Sequence, residues 1–373
     1  MRQSFFKIFS FAIAFCIMFS ACIFAAETFD GDIADIISYK EKSCSAKNVK
    51  ELIDKEFSVN AGNGGELYII ALARLSSEEN FSGYAKNLAS YLSNERYVFP
   101  VTGEKYALVF LSLGIKSRYI EYAANNFIGN GGLMSYIYGL HLLNNGVECE
   151  KYTPLSLAEK IISFLNADGG FSVTGSSSDI DVTSMAITAL APFYDKNDDV
   201  KKAVDSSLLF ISKNQLESGG FSSYGVENCE SAAQVITALC ALDIDPETDE
   251  RFIKNGNTAV DSMLSFRRGD GSFSHVFGEE ENGMATEQAF FALCSLKRFK
   301  NGETSLFLFG NTEDRTPSDF EDVTFGGEEI YEKQQKRIDI KKIICLSVIS
   351  VSVFVIVILL IPKKKKREVY DEK

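Results

Sequence analysis

The chain contains no tryptophan and only two histidines, His141 and His275, in 373 residues. It has little with which to build a histidine-based metal site and no indole face to hold a cation. No Cys-x-x-Cys pair occurs. Of eight cysteines, Cys16, Cys22 and Cys345 sit in strongly apolar segments, leaving Cys44, Cys149, Cys229, Cys240 and Cys294. An odd set without paired spacing gives no disulfide framework. Cys229 and Cys240 fall on one predicted helix, ~16 Å apart at the helical rise, beyond disulfide reach. Free, mostly buried thiols are expected, which suits an anaerobic host. Positive charge is also short. The net charge is −13 and both chain ends are basic, so the middle is more acidic still. Nucleic acids and anionic lipid surfaces would be repelled and are not expected as partners.

No stretch alternates apolar and polar residues as a half-buried strand would. What is present is a repeat. Asn166-Ala-Asp-Gly-Gly-Phe171 leads through a polar loop to Asp179-Ile-Asp181-Val and an apolar helix. Gly219-Gly220-Phe221 leads likewise to Asn228–Leu242, and Gly271-Ser272-Phe273 to Asn282–Phe299. The three Phe residues are 50 and 52 apart, and a fixed period of this size marks a repeat architecture. Weaker copies start at Tyr68, Tyr106 and Tyr136, so Leu72, Phe110, Leu140, Leu190, Leu239 and Leu293 anchor six apolar helices. Between them, Asn80–Asn94, Ser117–Asn126, Pro154–Asn166, Asp198–Asn214 and Glu250–Arg267 read as amphipathic helices. Asp32–Lys42 and Lys47–Glu56 read the same way. Six helical hairpins predict an all-α fold, either an open solenoid or a closed ring with the apolar helices inside.

The ends read as targeting segments. Residues 1–26 have the basic start, apolar core and small residues of a secretory signal. An uncleaved anchor, or a lipid on Cys22 after Phe19-Ser-Ala, stays open. Ile343–Ile361 is an apolar, charge-free run close to the ~20 residues of a bilayer crossing, and Lys363–Arg367 behind it is expected on the cytoplasmic side. The division is a signal at 1–26, a repeat domain at 27–310, an acidic spacer at 311–340, a transmembrane helix at 341–362 and a cytoplasmic tail at 363–373. The repeat domain would then be displayed outside a bacterial cell, held by Ile343–Ile361.

The Gly-Gly-Phe loops and their helices resemble the prenyltransferase and squalene-oxidase repeat. That repeat builds the α/α toroid of terpenoid cyclases and protein prenyltransferase β-subunits. The resemblance is strong over Asn166–Phe299 and weaker over residues 28–165, and it implies a toroid of six hairpins over 27–310. It does not fix an activity: the same toroid serves cobalamin carriers, complement-like thioester domains and polysaccharide lyases. Class II cyclases of this family carry Asp-x-Asp-Asp-Thr-Ala, whose middle Asp protonates an alkene or epoxide. Asp179-Ile-Asp181-Val182-Thr183-Ser184 keeps two acids, with Asp181 at the acid position and Val182 in place of the last. Protein prenyltransferases bind zinc through Asp, Cys and His. The counterparts Glu227, Cys229 and Gln288 include a poor ligand, so no metal is expected. A thioester needs Gln three residues after its Cys, and Ala232 stands there after Cys229.

Asp179, Asn228 and Asn282 occupy one repeat position as helix N-caps. Asp181, Glu230 and Met284 lie two residues on, where an acid favours the positive helix end. Capping and the helix dipole account for Asp179 and Asp181 without catalysis. Gln234 and Gln288 share another position, Thr188 and Thr237 a third, and Glu287 stands among Ala and Phe. Such polar groups inside apolar helices need partners. Either they bond one another across helices, or they line a central cavity as ligand contacts together with Glu230. The reading taken from the sequence is a non-catalytic surface module. It would bind a small apolar ligand, a cobalamin-like compound or a surface protein, with no cofactor otherwise. The alternative is a terpenoid cyclase or prenyltransferase-like enzyme using Asp181 as general acid.

Overall fold

The computed structural model describes residues 30–76, 79–175, 177–310 and 312–327. The expected signal (1–26), the apolar run 343–361, the tail 363–373 and the spacer beyond 327 lie outside them. Among the described residues no helix is long and apolar enough to cross a membrane.

The fold is all-α. Helix α1 covers residues 30–43. It is followed by α2 (Val49–Leu52, continuing as one π turn, Ile53–Phe57), α3 (Glu66–Leu75), α4 (Ser82–Asn94), α5 (Pro100–Ser112), α6 (Arg118–Asn126), α7 (Gly132–Asn144) and α8 (Pro154–Ile162). Then come α9 (Ile180–Leu190), α10 (Asp198–Asn214), α11 (Cys229–Ala241), α12 (Ala259–Ser265) and α13 (Gly283–Lys300). Among the described residues the one small sheet is a hairpin of Ser222–Ser223 with Val226–Glu227 in the second Gly-Gly-Phe loop. The expected helix over Glu250–Arg267 is instead a short 3-10 turn, Glu250–Phe252, followed by α12. Asn255 and Gly256 both take positive φ, and this turn separates the two pieces.

The apolar helices pack in a cycle. α3 lies against α5, α5 against α7, α7 against α9, α9 against α11, α11 against α13, and α13 against α3. This order fits a toroid. The six anchors Leu72, Phe110, Leu140, Leu190, Leu239 and Leu293 are buried in these helices. Ala186 and Ala189 on α9, Ala232, Ala233 and Ala238 on α11, and Ala285, Ala289 and Ala292 on α13 are also buried. Small side chains let backbones approach closely, which a tight ring of helices needs. Each outer helix returns the chain, so the inner helices run the same way. At one end the Glu287 side chain meets the start of α3. At the other, Asn144 donates to the Ala189 carbonyl (3.0 Å) and Arg298 to that of Arg74 (3.3 Å).

The repeated loops join neighbours. Gly169, Gly219 and Gly271 all have positive φ. A Cβ there would run into the backbone of Ser206, Thr258 and Asp35 respectively. The first two belong to the outer layer of the next repeat. Asp35 belongs to α1, so the last loop closes onto the first helix. Arg267 with Asp32 and Asp35, and Lys297 with Asp30, reinforce that closure. Phe171, Phe221 and Phe273 are fully buried behind these loops.

Residues 312–327, the start of the expected spacer, lie along α4–α6. Arg315 N–H donates to the Gly114 carbonyl (2.9 Å) and Gly326 N–H to that of Leu92 (3.2 Å). Asp322 accepts from the Ser117 hydroxyl (2.8 Å) and Arg118 Nε (2.9 Å). Phe320 meets Phe110, and Phe325 meets Tyr119, edge to face. The apolar residues Phe320, Val323 and Phe325 hold this acidic stretch to the ring.

Candidate active site

Three inner helices present matching faces to the centre. Asp181, Met185 and Thr188 on α9, Glu230, Gln234 and Thr237 on α11, and Met284, Gln288 and Phe291 on α13 follow steps of four and three. That spacing places each set on one helix face. The two deeper layers supply Met185, Thr188, Gln234, Thr237 and Phe291 to a central chamber, which Leu67, Tyr138, His141 and Phe307 complete. Its free volume is about 20 Å³, room for one water. Asp181, Glu230 and Met284 lie one turn, ~6 Å along the axis, toward the loop end. We call that end the mouth.

The polar side chains divide by partner. Thr188 and Thr237 return their hydroxyls to the Ser184 and Ala233 carbonyls of their own helices, both at 2.9 Å. Gln234 donates to Gln288 across helices at 3.0 Å, and it also lines the chamber. The two possibilities offered for these glutamines, mutual bonding and cavity lining, therefore coexist. Glu287 does not line the chamber. Its Oε1 accepts from the backbone N–H of Leu67 (3.2 Å) and Tyr68 (3.4 Å) at the start of α3. Burial and the nearby Glu66 raise the Glu287 carboxyl to about 7, against the pull of Lys105. Tyr138 holds Lys105 above the usual lysine range against its burial, helped by Glu66 and Glu287. Sequence reasoning missed Lys105 and Glu66. A charge opening or interrupting an apolar helix was their only signal.

At the mouth the two acids of Asp179-Ile-Asp181 take different roles. Asp179 is the N-cap of α9: its Oδ1 accepts from Val182 N–H (3.0 Å) and its Oδ2 from the Ser223 hydroxyl (2.6 Å). Asn228 and Asn282 cap α11 and α13 in the same way. Asp181 caps nothing. Its Oδ1 is buried without a hydrogen-bond partner. Capping thus accounts for Asp179 but not for Asp181, whose Oδ1 accepts from no backbone N–H. Burial raises the Asp181 carboxyl to about 6; Ser231 and His275 oppose the rise, and Asp179 and Glu230 add to it. Glu230, itself buried, is held by His275 Nδ1 at 2.8 Å. His275 comes from the loop behind Phe273, so three successive repeats build this corner.

At the far end His141 is buried and neutral, burial lowering it to about 3. Its ring stacks on Phe307 at 4.1 Å. Cys229, Cys240 and Cys294 are free and buried, and burial pushes all three thiols upward.

No family model matches the chain. Among proteins of assigned function, it is 26% identical over 169 residues to a drimenyl diphosphate synthase of Streptomyces showdoensis. The match takes in 44% of this chain and 31% of the relative, so the chain spans about a third of that protein's length. This likeness to a terpene synthase overturns the expectation of a non-catalytic binding module. The chain is a distant homologue of a terpenoid cyclase-like enzyme.

Proposed function

We propose that the chain is a terpenoid cyclase-like enzyme, built as an α/α toroid, that starts its reaction by protonating a carbon–carbon double bond with Asp181. The observation that carries this reading is the carboxyl of Asp181, raised to about 6 by burial, with one oxygen buried and unpartnered. A carboxyl in a site that disfavours its ionised form keeps its proton to higher pH, so the acid form is available to an alkene. Asp179 beside it is engaged on both oxygens, so the proton is assigned to Asp181.

The step balances as an isomerisation. The Asp181 proton passes to one alkene carbon, the other carbon becomes cationic, and a second double bond of the same substrate attacks it. One carbon–carbon bond forms, and a proton is lost from the last cation. No oxidant or reductant is consumed. The aromatic faces of Tyr138 and Phe291 along the chamber would favour the passing positive charge.

The substrate class is an isoprenoid chain with at least two double bonds. We propose that the ring stands outside a bacterial cell, anchored by Ile343–Ile361. A membrane-borne polyprenoid would reach it more readily there than a soluble cytoplasmic diphosphate. The test is product formation from polyprenols of graded length by the wild type and Asp181→Asn. The substitution should abolish cyclic product and keep the fold. A D181N protein as active as the wild type would remove the proposed acid.

A further inference from the structure

The chamber is closed at the end opposite Asp181 by a piece of chain that belongs to no repeat. Leu306, Phe307 and Phe309 follow α13 and are buried. Phe307 stacks on His141 (4.1 Å) and leans on Phe291 (5.0 Å), forming the chamber floor. No helix or strand ties this segment to the ring. Side-chain clamps do. Asn145, at the end of α7, donates to the Phe307 carbonyl and accepts from the Phe309 N–H, both at 2.7 Å. Arg74, at the end of α3, donates to the carbonyls of Leu308 (3.2 Å) and Phe309 (3.3 Å). Arg298 of α13 donates to the Thr304 carbonyl at 2.9 Å.

With Phe307 seated the chamber holds about 20 Å³, far below the ~300 Å³ and upward of typical ligand pockets. An occupied chamber therefore needs a wall to move. The inner helices are locked by their neighbours around the whole ring. The Phe307 segment is held by side-chain hydrogen bonds to its backbone, about 1 kcal/mol net each from Asn145 and about 1.5–3 from the charged Arg74 and Arg298, and by its buried Leu306, Phe307 and Phe309.

We propose that Phe307 is a removable floor: the segment 304–309 swings out when an isoprenoid chain fills the chamber and closes the ring when it is empty. The choice of an isoprenoid occupant rests on the proposed cyclase function; the movement does not. Seated, the segment excludes water from the chamber. Displaced, it gives up the His141 stack and the Asn145 clamp in exchange for contacts of the chamber wall with the ligand. Apparent affinity is then reduced by the fraction of molecules whose floor is closed.

The absence of tryptophan makes the test direct. Phe307→Trp places a single indole in the floor of the full chain, and farnesol serves as the probe. Emission should be blue without farnesol and shift red, toward that of an exposed indole, as farnesol saturates. Asn145→Ala loosens the clamp without altering the chamber lining. It should lower the half-saturating farnesol concentration roughly thirtyfold, as expected from two lost hydrogen bonds of about 1 kcal/mol each. If Phe307→Trp does not fold, hydrogen exchange on the otherwise wild-type chain replaces it. The amides of residues 306–309 should then exchange faster in the farnesol complex than in the free protein. Emission that stays blue at saturation, exchange that slows, or an Asn145→Ala affinity equal to the wild type would each overturn the proposal. Farnesol binding requires no turnover. A moving floor in a protein that makes no product would sink the cyclase reading and spare this one. A fixed floor beside acid-dependent turnover would do the reverse.

Discussion

Glu287 on the last inner helix caps the first: its Oε1 lies 3.2 Å from the Leu67 backbone nitrogen. Helix α3 cannot cap itself, because its N-cap is Gly65, at φ 85° and without a side chain. The ring is thus sealed by a hydrogen bond between residues 220 apart in sequence. Glu287→Ala should cost about 1 kcal/mol, as loss of a helix cap does. Denaturant unfolding of the purified protein checks this, with Glu287→Gln, which keeps an oxygen acceptor, as the control.

The same carboxyl predicts a pH effect. Its folded-state value, about 7, lies above the unfolded value of 4.5, so the native state binds the proton more tightly. Its contribution to stability is greatest below pH 4.5 and falls as the pH rises toward 7. Glu287→Gln should flatten that part of the stability–pH curve. Thermal melts between pH 4 and 8 that fall equally steeply in both proteins would show another group responsible.

Asp181 gives the same sign. Its value moves from 3.8 to about 6 on folding, so at pH 8 the ionised carboxylate is a burden on the folded state. A helix-dipole role alone would make Asp181→Asn destabilising by about 0.3–1 kcal/mol. The buried site predicts the opposite: D181N should be more stable than the wild type at pH 8, by about 1–3 kcal/mol. The difference should vanish near pH 4. A D181N protein less stable at pH 8 would restore the dipole explanation.

Two glycines of positive φ separate contact from strain. Gly271 and Gly278 both have positive φ, but a Cβ at Gly271 meets the Asp35 backbone and one at Gly278 meets nothing. Gly278→Ala should cost about 1 kcal/mol for backbone conformation. Gly271→Ala should cost about 1–3 kcal/mol more through overpacking against α1. Equal losses in chemical denaturation would mean that the contact with α1 does not hold the ring closed.

Much of the helical framework was legible because it repeats. Phe171, Phe221 and Phe273 share one environment, so their period placed the helices that follow, and their anchors lie on the inner cycle. Local chemistry was legible where it stays local, as in the Asp179, Asn228 and Asn282 caps. The chamber and the mouth were less so. The state of Asp181 depends first on burial and then on Ser231, Glu230 and His275, which only folding brings near. The Asn255-Gly256 turn was overlooked inside an amphipathic pattern. Phe307 lies beyond the last repeat, and nothing in its local sequence marks it as a chamber wall. The binding-module reading rested on the incomplete acid motif, the missing zinc ligands, the missing Trp and the expected outside location, and the likeness to a terpene synthase overturns it.

The central claim is that Asp181 delivers a proton to carbon. Turnover of a polyprenol in D2O tests it most directly, with the cyclised product examined by mass spectrometry. The account predicts one non-exchangeable deuterium per product molecule. It also predicts a rate that falls as the pH rises above about 6, where the acid form is lost, and no product from Asp181→Asn. Cyclic product without deuterium, formed equally by Asp181→Asn, would contradict it.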